Sequence, residues 1–218
     1  MAKGPFIVVD ALDAGGSQTQ ADRLAARLRR QKFNVLELHF PQEERATGRM
    51  VYDKFLLEKN KRPFSRREQA LLYIQDFFSR KEDIEQQVSG GGRYAVVSDR
   101  YCMSTFAYQT IGLQGAARER MYEWIDWLCF KGTPRLPKPD LVIFIDTPVA
   151  ISLERLRNKK KDYFENRQKL TAIRNSYLRV AARQRWIMVA GADEQEKQRT
   201  RDDIEEEIWQ KIKLLLGL

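Results

Sequence analysis

The sequence is poor in cysteine and histidine, and this scarcity disfavours several kinds of chemistry. It contains two cysteines, Cys102 and Cys129, and one histidine, His39. The cysteines lack both metal-ligand spacing and the density of a disulfide scaffold, so we expect buried, reduced thiols. His39 lies in an alternating run with no carboxylate or serine close to it in sequence, which argues against histidine-based catalysis.

Long hydrophobic runs are also missing. No apolar stretch approaches the roughly 18 residues that a membrane-spanning helix needs, and the first ten residues, MAKGPFIVVD, lack the apolar core of a signal peptide. These absences predict a cytoplasmic protein with no membrane partner. The 218 residues, 43% of them hydrophobic, are enough for a single domain over residues 1–218 with a full core.

Acidic residues are outnumbered by basic ones. The chain has 39 Lys and Arg against 30 Asp and Glu, for a formal net charge of +9. This excess predicts anionic partners, and phosphorylated small molecules and nucleic acid satisfy it equally well. Because the chain has no stripe of alternating aromatic and basic residues, nucleic acid is the less favoured partner.

Short apolar runs alternate with helical patterns along the chain. Strands are predicted at residues 6–9, 34–40, 94–97, 141–145 and 186–189. Helical or amphipathic patterns follow the first strand and cover residues 48–58, 65–88, 116–130, 148–157 and 167–183, and a last helix carries Ile204 and Ile208. Helices that regularly separate apolar strands predict an α/β fold with a parallel sheet.

The turn after the first strand is the first place to look for a ligand, because parallel sheets bind ligands beyond the carboxyl ends of their strands. It reads VVDALDAGGSQTQADRL over residues 8–24. In the phosphate-loop pattern GxxxxGK[ST], backbone amides hold phosphate, the lysine contacts the outer phosphates and the hydroxyl holds magnesium. Ala11, Gly16, Ser17 and Gln18 occupy those positions here, so the lysine is absent.

Gly15 and Gly16 still allow close backbone approach, and the following helix still presents N–H groups to an anion. Losing a charge-assisted contact costs about 1.5–3 kcal/mol of binding, whereas losing one preorganised transition-state donor commonly costs roughly 10²–10³ in rate. We therefore expect the missing lysine to reduce the rate of phosphoryl transfer more than the affinity for phosphate. The alternative is that the residues GGS only form a tight turn.

Five segments, in order, resemble the thymidylate kinase family. The first loop is similar to that family's FEGxDGSGKTTQAxxL, with residues 19–24 in register. The other four are Phe40-Pro41 with Gly48, Asp99-Arg100-Tyr101, Ala107-Tyr108-Gln109, and LPKPD at residues 136–140. The resemblance implies a three-layer P-loop NTPase fold with a five-stranded parallel sheet flanked by helices and a small lid at roughly residues 155–169. It also implies ATP and Mg²⁺ as cofactors, phosphorylation of dTMP to dTDP, and a homodimer.

The resemblance also implies roles for single residues. ATP would be bound by Ala14, Gly15, Gly16, Ser17, Gln18 and Thr19. The catalytic residues would be Asp13, Asp99 and Arg100, with Asp99 as the metal ligand. The acceptor would be bound by Tyr73, Arg100, Tyr108 and Gln109.

The residue types and their positions on the predicted strands support part of this assignment, and other interpretations remain open. Asp99 follows the buried strand at 94–97, so it is expected at the ligand-binding edge of the sheet, where a carboxylate can anchor a metal. A solvated ion pair between Asp99 and Arg100 is the alternative. For Tyr73 and Tyr108 the alternative is packing in the core.

Beyond the loop, the sequence departs from the family pattern at three further places where an arginine is expected. Glu43 stands where an arginine often follows Phe-Pro, Phe77 follows Asp76 on the long helix, and Tyr163 follows Asp162 in the lid. Basic residues crowd the lid, and these are Arg155, Arg157, Lys159, Lys160, Lys161, Arg167 and Lys169. They could replace the lost lysine, or they could form a solvated surface.

Three functions are therefore consistent with the sequence. The first is a dTMP kinase impaired by its loop, in which lid cations take over from the lysine. The second is a catalytically degenerate relative, a pseudokinase that keeps the pocket for nucleotide binding or regulation. The third, and least favoured, is a nucleic-acid-binding protein that uses the basic lid.

Overall fold

The computed structural model describes residues 3–56, 64–157 and 166–217. One sheet contains the strands β1 (Phe6–Ala11), β2 (Asn34–His39), β3 (Tyr94–Asp99), β4 (Leu141–Asp146) and β5 (Ile187–Ala190). The strands run parallel in the order β2-β3-β1-β4-β5. The predicted α/β fold with a five-stranded parallel sheet is confirmed.

Helices flank the sheet on both faces. They are α1 (Ser17–Arg30), α2 (Ala46–Val51), α3 (Arg66–Phe78), α4 (Lys81–Ser89), α5 (Cys102–Gln109), α6 (Gly115–Asp126), α7 (Val149–Leu156), α8 (Arg167–Gln184) and α9 (Arg201–Ile212). Single π-helical turns, Tyr52–Leu56 and Trp127–Lys131, continue α2 and α6.

The central strand β1 explains why the sheet has three layers. All six of its residues are buried, as expected for a parallel strand covered on both faces. Successive side chains of a strand point to opposite faces. Phe6 and Val8 accordingly join the core beneath α2 to α8, whereas Ile7 and Val9 join the core beneath α1 and α9.

The prediction of one helix over residues 65–88 is wrong, because the segment forms α3 and α4. The Ser79 hydroxyl donates to the Asp76 carbonyl at 2.7 Å, and this local bond competes with continued helix formation. Arg80 then leaves helical geometry, with φ −115° and ψ 4°. The apolar periodicity crosses the break because Ile84 and Val88 pack into the same core as α3.

The remaining expectations about the fold have mixed outcomes. Cys102 and Cys129 are buried, free thiols, as predicted. In the described part of the chain, every helix is too short or too polar to cross a bilayer. The predicted segment at 48–58 and the lid at 155–169 are described only in part, because residues 57–63 and 158–165 lie outside the described residues.

Candidate functional site

A cleft of about 850 Å³ lies at the carboxyl edge of the sheet. Its walls come from segments that follow all five strands, β1 to β5, because parallel strands bring their carboxyl ends to one edge. Every predicted site residue lines this cleft: Asp13, Ala14, Gly15, Gly16, Ser17, Gln18, Thr19, Tyr73, Asp99, Arg100, Tyr108 and Gln109. The structure therefore brings the predicted site together, and the roles of its members stay predictions.

The glycine-rich loop between β1 and α1 has a fixed geometry. A Cβ added to Gly15 would stand 2.7 Å from the Ala11 Cβ and 2.8 Å from the Leu12 carbonyl oxygen, so only glycine fits there. Gly16 has φ 105°, in the left-handed region that glycine adopts without strain. The Thr147 hydroxyl donates to the Gly15 carbonyl at 2.8 Å and holds the loop from behind.

The N-terminus of α1 is electrostatically suited to an anion. Within the described residues it has no side-chain cap, and its first turn contains no acidic side chain. Its first N–H groups and the positive end of its dipole therefore remain available beside the cleft. Ser17, the first residue of the helix, is buried, whereas Gln18 is exposed. This backbone geometry is compatible with the predicted phosphate cradle.

Arginines from elsewhere in the chain approach this loop. Arg155 Nη1 donates to the Ala14 carbonyl at 2.7 Å and lies 3.6 Å from where a Gly16 Cβ would stand. Burial lowers the pKa of the Arg155 guanidinium, and the positive charge of Arg201 lowers it further. Two cations that repel each other beside a phosphate loop favour an anion between them. Arg201, which lines the cleft from the start of α9, belongs to no motif that could have predicted this position.

Arg100 forms an ion pair with Asp13 rather than with its neighbour Asp99. Its Nη2 lies 2.6 Å from Asp13 Oδ1, and the Tyr108 hydroxyl donates to both carboxylate oxygens at 3.1 and 3.0 Å. Burial acts to lower the pKa of Arg100, but Tyr108, Asp13, Tyr177 and Asp10 together raise it well above its usual value. The guanidinium is therefore a permanent cation.

Asp99 has a different partner, His39. Asp99 and Arg100 therefore do not form the solvated ion pair that was the alternative. His39 Nδ1 lies 2.6 Å from Asp99 Oδ2. His39 has no carboxylate near it in sequence, but the pairing of β2 with β3 brings Asp99 next to it. Asp99 Oδ1 is buried and has no hydrogen-bond partner among the described residues. A buried carboxylate oxygen of this kind suits Mg²⁺, which prefers hard oxygen ligands.

Asp10 is a buried carboxylate that was not among the predicted site residues. It accepts hydrogen bonds from Ser104 Oγ at 2.7 Å, Tyr177 Oη at 2.8 Å and the Ala11 backbone N–H at 2.9 Å. Burial raises the pKa of Asp10 to about 6, although Arg100 and the hydroxyl donors act to lower it. Its only sequence signal is an acidic residue at the end of an apolar strand.

The raised pKa of Asp10 predicts a pH dependence of stability. A carboxyl with a raised folded-state pKa stabilises the fold fully below its unfolded value of 3.8, and this contribution is lost as the pH rises through about 6. The loss amounts to about 3 kcal/mol. Urea unfolding should show the wild type losing stability between pH values of about 4 and about 8, relative to Asp10→Asn. Glu82→Gln, an exposed control, should behave like the wild type, and identical pH dependence of Asp10→Asn and wild type would contradict the prediction.

The side of the cleft that is predicted to bind the acceptor is aromatic. Tyr73 lines it and packs edge-on against Phe55, with ring centroids 6.1 Å apart. Phe77 also lines it and contacts Phe40 and Tyr101, with centroids 5.0 and 5.2 Å away. The position at which the family carries an arginine on the long helix has therefore become part of the core.

Comparison with known proteins agrees with this geometry. The thymidylate kinase family model matches residues 9–204. A probable thymidylate kinase of Metallosphaera sedula is 32% identical over 188 residues, which cover 85% of this chain and 84% of the relative. A thymidylate kinase of a Sulfurihydrogenibium species is 32% identical over 192 residues, or 86% of this chain and 89% of the relative.

The structural comparison supports the same fold. A solved structure of thymidylate kinase from Candida albicans superposes with a TM-score of 0.72 at 22% identity, covering 98% of this chain and 93% of the other. This likeness confirms the predicted P-loop NTPase fold. The sequence match extends over nearly the whole chain and includes the cleft-forming segments from the end of β1 to the start of α9. The chain therefore belongs to the thymidylate kinase family.

Proposed function

We propose that this chain binds ATP and dTMP in the cleft and transfers phosphate from one to the other at a reduced rate, because its loop lacks the lysine and threonine. The observation that carries the proposal is that the glycine-rich loop, Asp99 and Arg100 line one cleft. Phosphoryl transfer depends mainly on positioning and charge, so cations that approach from other elements can take over part of the lysine's role.

The described residues support distinct roles at the donor side. The backbone N–H groups at Gly16 and the start of α1 would hold the donor phosphates, whereas the Gly15 N–H donates to the Leu12 carbonyl at 2.8 Å. Arg155 and Arg201 would supply positive charge beside them. Asp99 Oδ1 would hold Mg²⁺, which when bound would supply positive charge to offset the charge that develops during transfer. The predicted lysines of the lid, residues 159–161, lie outside the described residues.

A second candidate function is a nucleotide-binding pseudokinase. One observation favours it: the Arg155 guanidinium is bonded to the loop itself, through the Ala14 carbonyl, rather than projecting freely into the cleft. Held in this way, Arg155 can stabilise bound phosphate. A lysine at position 17 would instead be positioned by the loop itself, and Arg155 does not reproduce that placement. In that case the cleft would bind nucleotide and transfer nothing.

One experiment separates the two candidates. Calorimetry with ATP and Mg²⁺ on the purified chain should show binding, and a coupled assay with dTMP should show slow turnover. Binding without turnover would favour the pseudokinase. Failure to bind ATP would overturn both candidates, because both depend on the loop and the α1 N-terminus as an anion site.

We also propose that the chain forms a homodimer through α2, α3 and α6. Met50, Leu71 and Trp127 are among its most exposed large apolar side chains, at 46%, 48% and 56%. The helices that carry them are neighbours: Gln75 Nε2 on α3 donates to Met50 Sδ on α2, and Arg67 on α3 lies over the Trp124 ring on α6. Exposed large apolar side chains on neighbouring helices support an interaction surface there.

A charged residue at the centre of this surface should prevent association. Leu71→Glu is expected to give a particle of half the wild-type mass in light scattering, because pairing would bury the new carboxylate against apolar side chains. Leu215→Glu is the matched control, since Leu215 is 63% exposed on the chain segment after α9. The proposal fails if the wild type is monomeric or if both variants keep the wild-type mass.

A further inference from the structure

His39 stands at the carboxyl end of β2, directly opposite Asp99 at the carboxyl end of β3. The two residues are register partners in neighbouring parallel strands. The Phe40 N–H donates to the Asp99 carbonyl at 3.1 Å, which extends the hydrogen-bonded ladder one residue beyond β2. His39 and Asp99 both line the cleft. The backbone of the sheet, rather than a loop, therefore holds the imidazole beside the carboxylate.

The two carboxylate oxygens of Asp99 have different surroundings. Oδ2 lies 2.6 Å from His39 Nδ1, whereas Oδ1 is buried and has no hydrogen-bond partner among the described residues. An ionised carboxylate only accepts hydrogen bonds, so the imidazole donates from Nδ1. This bond fixes the rotation of the carboxylate and leaves Oδ1 unengaged. Mg²⁺ binds one or two carboxylate oxygens and demands a near-ideal geometry of its ligands, so a carboxylate of fixed orientation suits it.

His39 is the residue that fixes this orientation. It provides the one hydrogen bond that the described part of the chain donates to the Asp99 side chain. Arg100, the adjacent cation, is paired with Asp13 at 2.6 Å. Another carboxylate lies near: burial raises the pKa of Asp10 to about 6, and the negative charge of Asp99 contributes to the rise. Without the His39 bond, the orientation of the Asp99 carboxylate would lose its fixed partner.

We infer that His39 is a positioning residue, whose Nδ1–H holds Asp99 so that Oδ1 stays available to the Mg²⁺ that accompanies the donor nucleotide. The inference rests on the proposed function, in that it takes Asp99 to bind the metal. His39 acts here as neither base nor ligand, which agrees with the expectation that the chain does not use histidine-based catalysis. Loss of a residue that hydrogen bonds to a metal ligand typically lowers metal affinity 10- to 100-fold.

The test is calorimetry of the full-length chain with ATP, in EDTA and in excess Mg²⁺, because the ratio of the two affinities isolates the contribution of the metal. In His39→Leu this ratio should fall about tenfold, while the affinity in EDTA stays within about twofold. His39→Asn should keep most of the wild-type ratio, because its amide nitrogen takes the place of Nδ1. His39→Gln should resemble His39→Leu, because its amide nitrogen takes the place of Nε2 instead. The His39 side chain is 40% exposed, so these changes open no core.

A double-mutant cycle shows whether His39 acts through Asp99. Asp99→Asn should itself lower the ratio, and His39→Leu should lower it no further in that background. Additive losses would mean that His39 acts independently of Asp99 and would overturn the inference. Asn34→Leu is the matched control, since it makes the same polar-to-leucine change at the exposed first residue of β2, away from the cleft, and should keep the wild-type ratio.

The single histidine also provides a readout that needs neither binding nor turnover. In ¹⁵N NMR of the free protein, the one imidazole should carry its proton on Nδ1, and Asp99→Asn should weaken this preference. A neutral imidazole protonated only on Nε2 would overturn the inference. If ATP binds with the same Mg²⁺ dependence in His39→Leu as in the wild type, the inference fails while the proposed function stands. If ATP does not bind at all, both fail.

Discussion

Restoring the loop with the double substitution Ser17→Lys, Gln18→Thr is expected to raise kcat for dTMP phosphorylation by about 10²–10³-fold. The backbone that must present the lysine is already in place: Gly15 fits a space that no other residue fits, and Gly16 is left-handed. A lysine at the first position of α1 would point at the donor phosphates, and a threonine after it would offer its hydroxyl to Mg²⁺. ATP affinity should rise less than kcat, because the restored contacts matter most in the transition state.

The control for this variant is Gln31→Lys, which adds the same charge at the exposed C-terminal end of α1. It should leave kcat and KM unchanged. A coupled assay under saturating ATP and dTMP measures the effect. If the wild type turns over rapidly and the double variant is no faster, the loop sequence does not limit activity, and Arg155 and Arg201 fully replace the lysine. If the double variant binds ATP but remains inactive, the defect lies in the acceptor half.

The sequence predicted the sheet well because the signal for a parallel sheet is local. Four of the strands are short apolar runs and β2 alternates, and β1 is buried on both faces, so its pattern Phe6 to Val9 shows no polar alternation. The helix break at Ser79 escaped prediction because the apolar period continues across it. Only the competing hydrogen bond from the Ser79 hydroxyl to the Asp76 carbonyl ends the helix, and a pattern of apolar positions carries no trace of that bond.

The site was predicted in part for the same reason. The glycine-rich loop, Asp99 and Arg100 follow strands, so the strand assignments already place them at one edge. Their partners could not be predicted, because partnership depends on which strands are neighbours. The order β2-β3-β1-β4-β5 sets His39 beside Asp99 and brings Arg201 to the loop. No spacing along the chain encodes these contacts.

The departures from the family pattern have two physical outcomes. Phe77 removes a cation and adds packing, since its ring contacts Phe40 and Tyr101 in the core. Glu43 instead replaces an expected cation with an anion that remains in the cleft. The two substitutions therefore differ in kind, because Phe77 is buried in the core whereas Glu43 is exposed at the cleft.

Arg100→Ala is expected to lower dTMP affinity by about 10- to 100-fold, the equivalent of one lost charge-assisted contact. Arg100 is the cation at the centre of the cleft, and its backbone φ of 62° is one that non-glycine residues rarely adopt. Such a conformation is retained where the surrounding contacts demand it, here the ion pair with Asp13 at 2.6 Å. Thymidine affinity should change by less than about threefold, because an uncharged acceptor does not need the cation.

Arg100→Ala should also lower the free energy of unfolding, and this loss measures the coupling of Arg100 to Asp13 and Asp10. Without Arg100, Asp13 loses its ion-pair partner and Asp10 loses the positive charge that lowers its pKa. The Arg100 and Asp13 side chains are 18% and 17% exposed, so the cost should fall below the 3–5 kcal/mol of a fully buried pair, at about 2 kcal/mol. Asp10→Asn in the Arg100→Ala background should recover part of that loss at neutral pH, as measured by a double-mutant cycle with urea unfolding. Additive effects of the two substitutions would mean that Arg100 and Asp10 are uncoupled, and unchanged dTMP affinity in Arg100→Ala would remove Arg100 from the acceptor site.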